Sequence, residues 1–130
     1  LYKGAAAGDG KPRIVDGDMQ TIMAGLNCAE PSLNVFPVLR DWAFAYAACP
    51  DEAAESGMRA LARPLGEDRA VVSGESGAAP LGLLLALMQK EELRPAREAL
   101  GLDESSVVLL VSTEGDTDPE NYRRIVGEKA

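Results

Sequence analysis

An apolar run that stops at a hydroxyl, crosses an acid and a glycine, and restarts as a helix occurs twice in this chain. The two copies are "VVSGESGAAPL" (residues 71–81) and "VVLLVSTEGDTDPENY" (residues 107–122). Continuous apolar runs with no polar alternation belong to strands covered on both faces, the kind found inside parallel sheets. A strand that ends in a glycine-containing turn before a helix is one half of a β–α unit. In such sheets, ligands gather outside the carboxyl ends of the strands. The repeated pattern therefore predicts both an architecture and the place to look for a site.

The rest of the chain fits that expectation. Residues 4–18, dense in Gly and Asp, read as irregular connecting chain. "TIMAGL" (21–26) reads as a short helix, and Ser32 as the cap of a helix over 33–42 with Pro37 in its first turns. The aromatics Trp42, Phe44 and Tyr46 alternate, which predicts a strand over 44–48. Pro50 with Asp51 and Glu52 opens a helix that carries Arg59 and Arg63 late and ends at Pro64, a charge order suited to the helix dipole. A short strand follows at 70–72, then a helix over 77–89 and another over 94–101 with Gly101 in its C-terminal cap. After the apolar strand, Asp118 caps a closing helix with Pro119 in its first position, running through Val126. Strands alternating with helices predict an α/β fold, a layered, mostly parallel sheet flanked by helices.

Composition narrows the function. At 130 residues the chain is about one domain. A net charge of −8 without clustered Lys or Arg excludes nucleic acid and an anionic membrane surface as partners. The most apolar stretch, 78–88, falls short of the roughly 18 residues that a membrane span needs. The absence of His removes most zinc sites and His-based triads. Cys28 and Cys49 lack paired spacing and are expected as reduced thiols of a cytoplasmic protein, with a Cys28–Cys49 bridge as the minor alternative. The chain begins with Leu and has no signal-peptide pattern, so it is expected to be a fragment lacking its upstream half.

Taken singly, each turn has an ordinary reading. In "SGESGA", Ser76 would cap the Leu-rich helix and the glycines would permit close backbone approach. The functional alternative sets Glu75 beside a cofactor ring. In "STEGDTD", Glu114, Asp116 and Asp118 alternate and could converge on a hard cation, but the ligand ladder of an EF-hand is missing. Three carboxylates also disfavour a phosphate cradle.

Read jointly, "STEGDTDPENYRRIV" and "GDMQTIMAGLNCAEPS", with "SGESGAAPLG", resemble the C-terminal portion of the diaminopropionate ammonia-lyases. These are fold-type-II pyridoxal-phosphate enzymes, related to threonine dehydratase and the tryptophan synthase β chain. The resemblance spans nearly the whole chain, and "STEGDTDP" is its most specific element. It implies that residues 1–130 are one partial domain of a larger tryptophan synthase β-like catalytic domain. It implies a pyridoxal 5'-phosphate cofactor, with Ser112, or its neighbour Thr113, hydrogen-bonding the pyridine nitrogen and Glu75 lying near the ring. A hydroxyl can donate to a neutral ring nitrogen, whereas an Asp would hold it protonated and deepen the electron sink. The implied reaction eliminates the β-amino group of 2,3-diaminopropionate, ending in pyruvate and ammonia. The implied partners are the amino-acid substrate and the missing N-terminal half, and the resemblance also allows a homodimer.

Two parts of the family's machinery are not found. The Schiff-base lysine of these enzymes lies upstream, and Lys3, Lys11, Lys90 and Lys129 occupy no matching motif. The glycine loop that grips the cofactor phosphate is missing too, since "GAAAGDG" does not follow a strand. The chain alone is expected to be inactive. Two readings compete: part of a serine- or threonine-dehydratase-like eliminase, and a non-catalytic α/β interaction module in which both turns are only caps.

Overall fold

The computed structural model describes residues 1–127, which fall into two compact units. The first comprises Leu1–Thr21 and Gly25–Ala48. It carries α1 (Tyr2–Ala7) and α2 (Phe36–Trp42). Helix α1 occupies part of the segment expected to be irregular, and Gly8 ends it in the left-handed conformation at φ 69°. Phe36 is buried and reaches Gly4, where an added Cβ would also press on the Lys11 carbonyl at 3.0 Å. Helix α2 starts later than the expected 33–42. The Ser32 carbonyl, rather than its hydroxyl, accepts from the Val35 and Phe36 amides in a preliminary turn.

The second unit is Ile22–Ala24 together with the chain from Cys49 onward. It is built on α3 (Asp51–Ala62) and α4 (Glu75–Gln89), followed by α5 (Arg94–Ala99) and α6 (Pro119–Val126). Helix α3 opens with Asp51 and Glu52 and closes with Arg59, the order that its dipole favours. Its small residues Ala53, Ala54 and Gly57 recur at helical spacing, as do Ala78, Ala79 and Gly82 on α4, and all six are buried. The two backbones meet there. A Cβ on Gly57 would strike the Ala78 carbonyl, and one on Gly82 the Ala53 carbonyl. Ile125 and Val126 of α6 pack on Met58 and Ala78.

Arginines close the C-terminal ends of two helices. Arg59 Nε donates to the Ile125 carbonyl at 3.0 Å and Arg63 Nη2 to that of Val126 at 2.7 Å. Arg97 Nη1 does the same for Met88 on α4, at 3.0 Å. Each guanidinium satisfies carbonyls that a helix end leaves without partners, and opposes its negative pole.

The expected parallel-sheet α/β fold is overturned: among the described residues no strand forms, and every regular element is helical. A strand exists only when its backbone finds a ladder partner, and none of the three candidate runs does. Residues 44–48 turn back instead, with Tyr46 Oη donating to the Leu39 carbonyl of α2 at 2.6 Å. In 70–72, the Val71 amide donates to the Leu61 carbonyl of α3 rather than to a strand. Residues 107–111 make no backbone hydrogen bond among the described residues, and Val107 and Leu109 are 100% and 88% exposed. Apolar content marked these runs as able to pair without supplying the partner.

The helix expected over 21–26 shrinks to a 3₁₀ turn, Ala24–Leu26. The Ile22 amide donates to Asp51 Oδ2 at 3.2 Å, and Met23 is buried against Ala54 and Ala79. Cys28 and Cys49 are both free thiols, the first exposed and the second half-buried. No helix among the described residues is long and apolar enough to cross a membrane.

Candidate functional site

The two hydroxyl–acid–glycine turns do meet, at the N-terminus of α4. This helix begins at Glu75 with Gly74 as its cap residue, and no local side chain satisfies its first amides. Ser76, expected as the cap, does not serve as one. Glu114 arrives from the other turn. Its Oε2 accepts from the Ser76 amide at 2.7 Å and the Gly77 amide at 3.1 Å, and its backbone carbonyl accepts from the Gly74 amide at 3.1 Å. One residue thereby answers three N–H groups and sets a negative charge on the positive end of a helix.

Glu114 Oε2, weighed in the sequence as part of a cation ligand set, here accepts from two backbone amides, and among the described residues no group of three or more acidic or cysteine side chains gathers.

The glycines explain how closely the turns approach. A Cβ on Gly74 would lie 2.5 Å from the Gly115 carbonyl and 2.7 Å from Glu114 Cγ. One on Gly77 would lie 2.6 Å from Ser73 Oγ and 2.7 Å from Ser112 Oγ. The two serine hydroxyls sit 2.7 Å apart, Ser73 wholly buried and Ser112 exposed. Thr113 is exposed, and its side chain takes no part in this contact.

Glu75 is buried in the first turn of α4, only 6% exposed. Asn121 Nδ2, from the first turn of α6, donates to Glu75 Oε1. Asn121 is itself held twice: its amide donates to Asp118 Oδ1 at 3.0 Å, and its Oδ1 accepts from Arg124 Nε at 2.8 Å. Asp118 is thus the predicted N-cap, with Pro119 in the first turn. The cap chemistry fixes the residue that fixes Glu75. A surface cleft of about 410 Å³ is lined by Asp118, Glu120, Asn121 and Arg124; Ser112 and Thr113 do not line it. Nearby, burial pushes the Tyr122 phenol above its ordinary range, and the charge of Asp116 adds to this.

Of the three residues singled out in the sequence, Ser112 and Glu75 thus join the first turn of α4, while Thr113 stays outside it. Ser73, Glu114 and Asn121 complete the arrangement, and none was anticipated in this role, Glu114 having been weighed only as a cation ligand. The position of Asn121 in the first turn after Asp118-Pro119 is a signal that could have found it; nothing local identifies the other two.

Comparison with known proteins bears on this arrangement. No protein-family model matches the chain. It is 46% identical over 127 residues to the diaminopropionate ammonia-lyase of Salmonella typhimurium strain LT2, a match covering 97% of this chain and 31% of that enzyme. The Escherichia coli K12 enzyme of the same name is 44% identical over 130 residues, covering 98% and 32%. The crystal structure of the Escherichia coli enzyme in complex with an aminoacrylate–PLP azomethine reaction intermediate superposes with a TM-score of 0.84 at 42% identity. That superposition covers 96% of this chain and 30% of that one. The chain spans about a third of the length of the relatives it matches. Over nearly all of its own length, it is a homologue of one segment of the diaminopropionate ammonia-lyases.

Proposed function

We propose that this chain is the C-terminal part of a diaminopropionate ammonia-lyase and supplies the ring-nitrogen side of its pyridoxal-phosphate pocket. The observation that carries the reading is the 42% identity and TM-score of 0.84 to an enzyme captured with an aminoacrylate–PLP adduct. In the whole enzyme, 2,3-diaminopropionate and water would give pyruvate and ammonia. When bound, pyridoxal phosphate supplies the electron sink for that elimination.

The residues present suit the cofactor's pyridine end. Ser112 is exposed at the rim of the clamped turn and backed by Ser73, so its hydroxyl can meet an acceptor from outside. A hydroxyl donor leaves a pyridine nitrogen neutral, which restrains the electron sink and favours elimination. Glu75, immobilised by Asn121, is the acid beside the ring in this reading, and Thr113 is the alternative ring contact. The cofactor-bound lysine and the phosphate grip come from elsewhere in the enzyme. Lys3, Lys11 and Lys90 are exposed and occupy no matching motif, and Lys129 lies outside the described residues.

The apolar run 107–111 is where the remainder of the enzyme packs, which makes that remainder the chain's first partner. The whole enzyme is taken to be a homodimer, and its free thiols suit the cytoplasm. The test is pyruvate release by the full-length protein after reconstitution with pyridoxal phosphate. Diaminopropionate should outpace serine and threonine. A preference for either of those would move the reading to a dehydratase-like eliminase, and no visible cofactor absorbance would end it. Ser112→Ala should lower activity more than Thr113→Ala; the reverse order would move the ring contact to Thr113.

A further inference from the structure

We propose that Ser73 is a positioning residue for Ser112, a buried hydroxyl that turns the single Ser112 proton outward toward the cofactor's ring nitrogen. The inference rests on the reading of Ser112 as the ring contact. Ser73 is 1% exposed, its Oγ lies 2.7 Å from Ser112 Oγ, and either hydroxyl can donate. The other acceptors in reach are both distant: the Gly74 carbonyl at 3.3 Å from Ser73 Oγ, and the Glu114 carbonyl at 3.5 Å from Ser112 Oγ. Each hydroxyl has one proton to give.

The pair therefore has two proton arrangements. In the first, Ser112 donates to Ser73, which donates to the Gly74 carbonyl, and Ser112 offers only lone pairs to the outside. In the second, Ser73 donates to Ser112, and the Ser112 proton is free for an external acceptor. Only the second can satisfy a neutral ring nitrogen. A hydrogen bond received by Ser112 also polarises its O–H and strengthens the bond it gives. A ring nitrogen at Ser112 would therefore select the arrangement in which Ser73 donates. Gly77 keeps the pair together, because any side chain there would stand within 2.7 Å of both oxygens.

The experiment is a titration of pyridoxal phosphate into the full-length apo-protein. Wild type, Ser73→Ala, Ser112→Ala and the double variant are compared by dissociation constant and by the absorbance maximum of the bound cofactor. Loss of one hydrogen bond in the relay should weaken binding about threefold to tenfold in Ser73→Ala. Ser112→Ala should weaken it at least as much, and Ser73→Ala should add nothing in the Ser112→Ala background, since the first residue acts through the second. Additive effects would assign Ser73 to the fold alone and overturn the relay. An unchanged Ser73→Ala beside a weakened Ser112→Ala would also overturn it, while the ring-contact reading stands. An unchanged Ser112→Ala would remove that reading and the relay with it. Should Ser73→Ala fail to fold, Ser73→Cys keeps the buried volume with a much weaker donor, and the same cycle is read from it.

Discussion

The seam between α3 and α4 and the run 107–111 treat apolar residues in opposite ways. The seam is made from the smallest side chains, Ala53, Ala54, Gly57, Ala78, Ala79 and Gly82, all buried. The run is made of valine and leucine, and exposure within it ranges from 37% at Leu110 to 100% at Val107. By transfer free energy the order should be reversed, since a leucine gains far more from burial than an alanine. Geometry decides instead. Alanines and glycines at helical spacing let two locally formed helices press backbone on backbone, where dispersion contacts are dense. An extended run must wait for a distant partner.

The sharpest way to break the seam is one methyl group. Gly82→Ala should destabilise by about 3 kcal/mol in urea unfolding of the full-length protein, because the new Cβ meets the Ala53 carbonyl. Helix propensity favours alanine by about 1 kcal/mol, so the clash has to reverse the sign. A neutral or stabilised variant would show that the helices can separate freely. The complementary test is Leu109→Ser in the full-length protein. If the remainder of the enzyme covers the run, the change should cost about 2 kcal/mol; at a position left in solvent it would cost under about 0.5 kcal/mol. The smaller value would make 107–111 a truly exposed run and the contrast a permanent one.

This contrast also explains what the sequence could disclose. Helices α3 and α6 were legible because their signals are local: acids early and arginines late around Pro50 and Pro64, and Asp118-Pro119 as cap and first position. The strands at 44–48, 70–72 and 107–111 were misread because apolar runs record a capacity to pair, and pairing is non-local. The two hydroxyl–acid–glycine turns were legible as a shared pattern. The part played by Glu114 was not, because the helix it caps lies 38 and 37 positions away from it, at Ser76 and Gly77. The same reason hid Ser73, whose partner Ser112 is 39 residues on.

Glu114 offers a smaller test at the end of the same helix. Glu114→Gln keeps an oxygen acceptor for the Ser76 and Gly77 amides but removes the charge from the helix pole. It should cost about 1 kcal/mol, and the loss should shrink in high salt. A salt-independent loss would mean that hydrogen-bond geometry rather than charge holds the turn.

The smallest effect is a rate. Cys49 packs beside Met23, Ala54 and Ala79 at the edge of the seam, and burial pushes its thiol above the ordinary range, helped by the charge of Asp51. A raised value means less thiolate at any given pH below it, and thiolate is the form that alkylates. Iodoacetamide should therefore modify exposed Cys28 several-fold faster than Cys49 near neutral pH, with Cys49 catching up as the pH rises through its own value. Mass spectrometry of the two tryptic peptides reads both rates in one sample. Gly82→Ala should close the gap, because forcing α3 from α4 uncovers Cys49 while leaving Cys28 as it was. Equal rates in the parent protein would show that the seam already opens on the timescale of labelling.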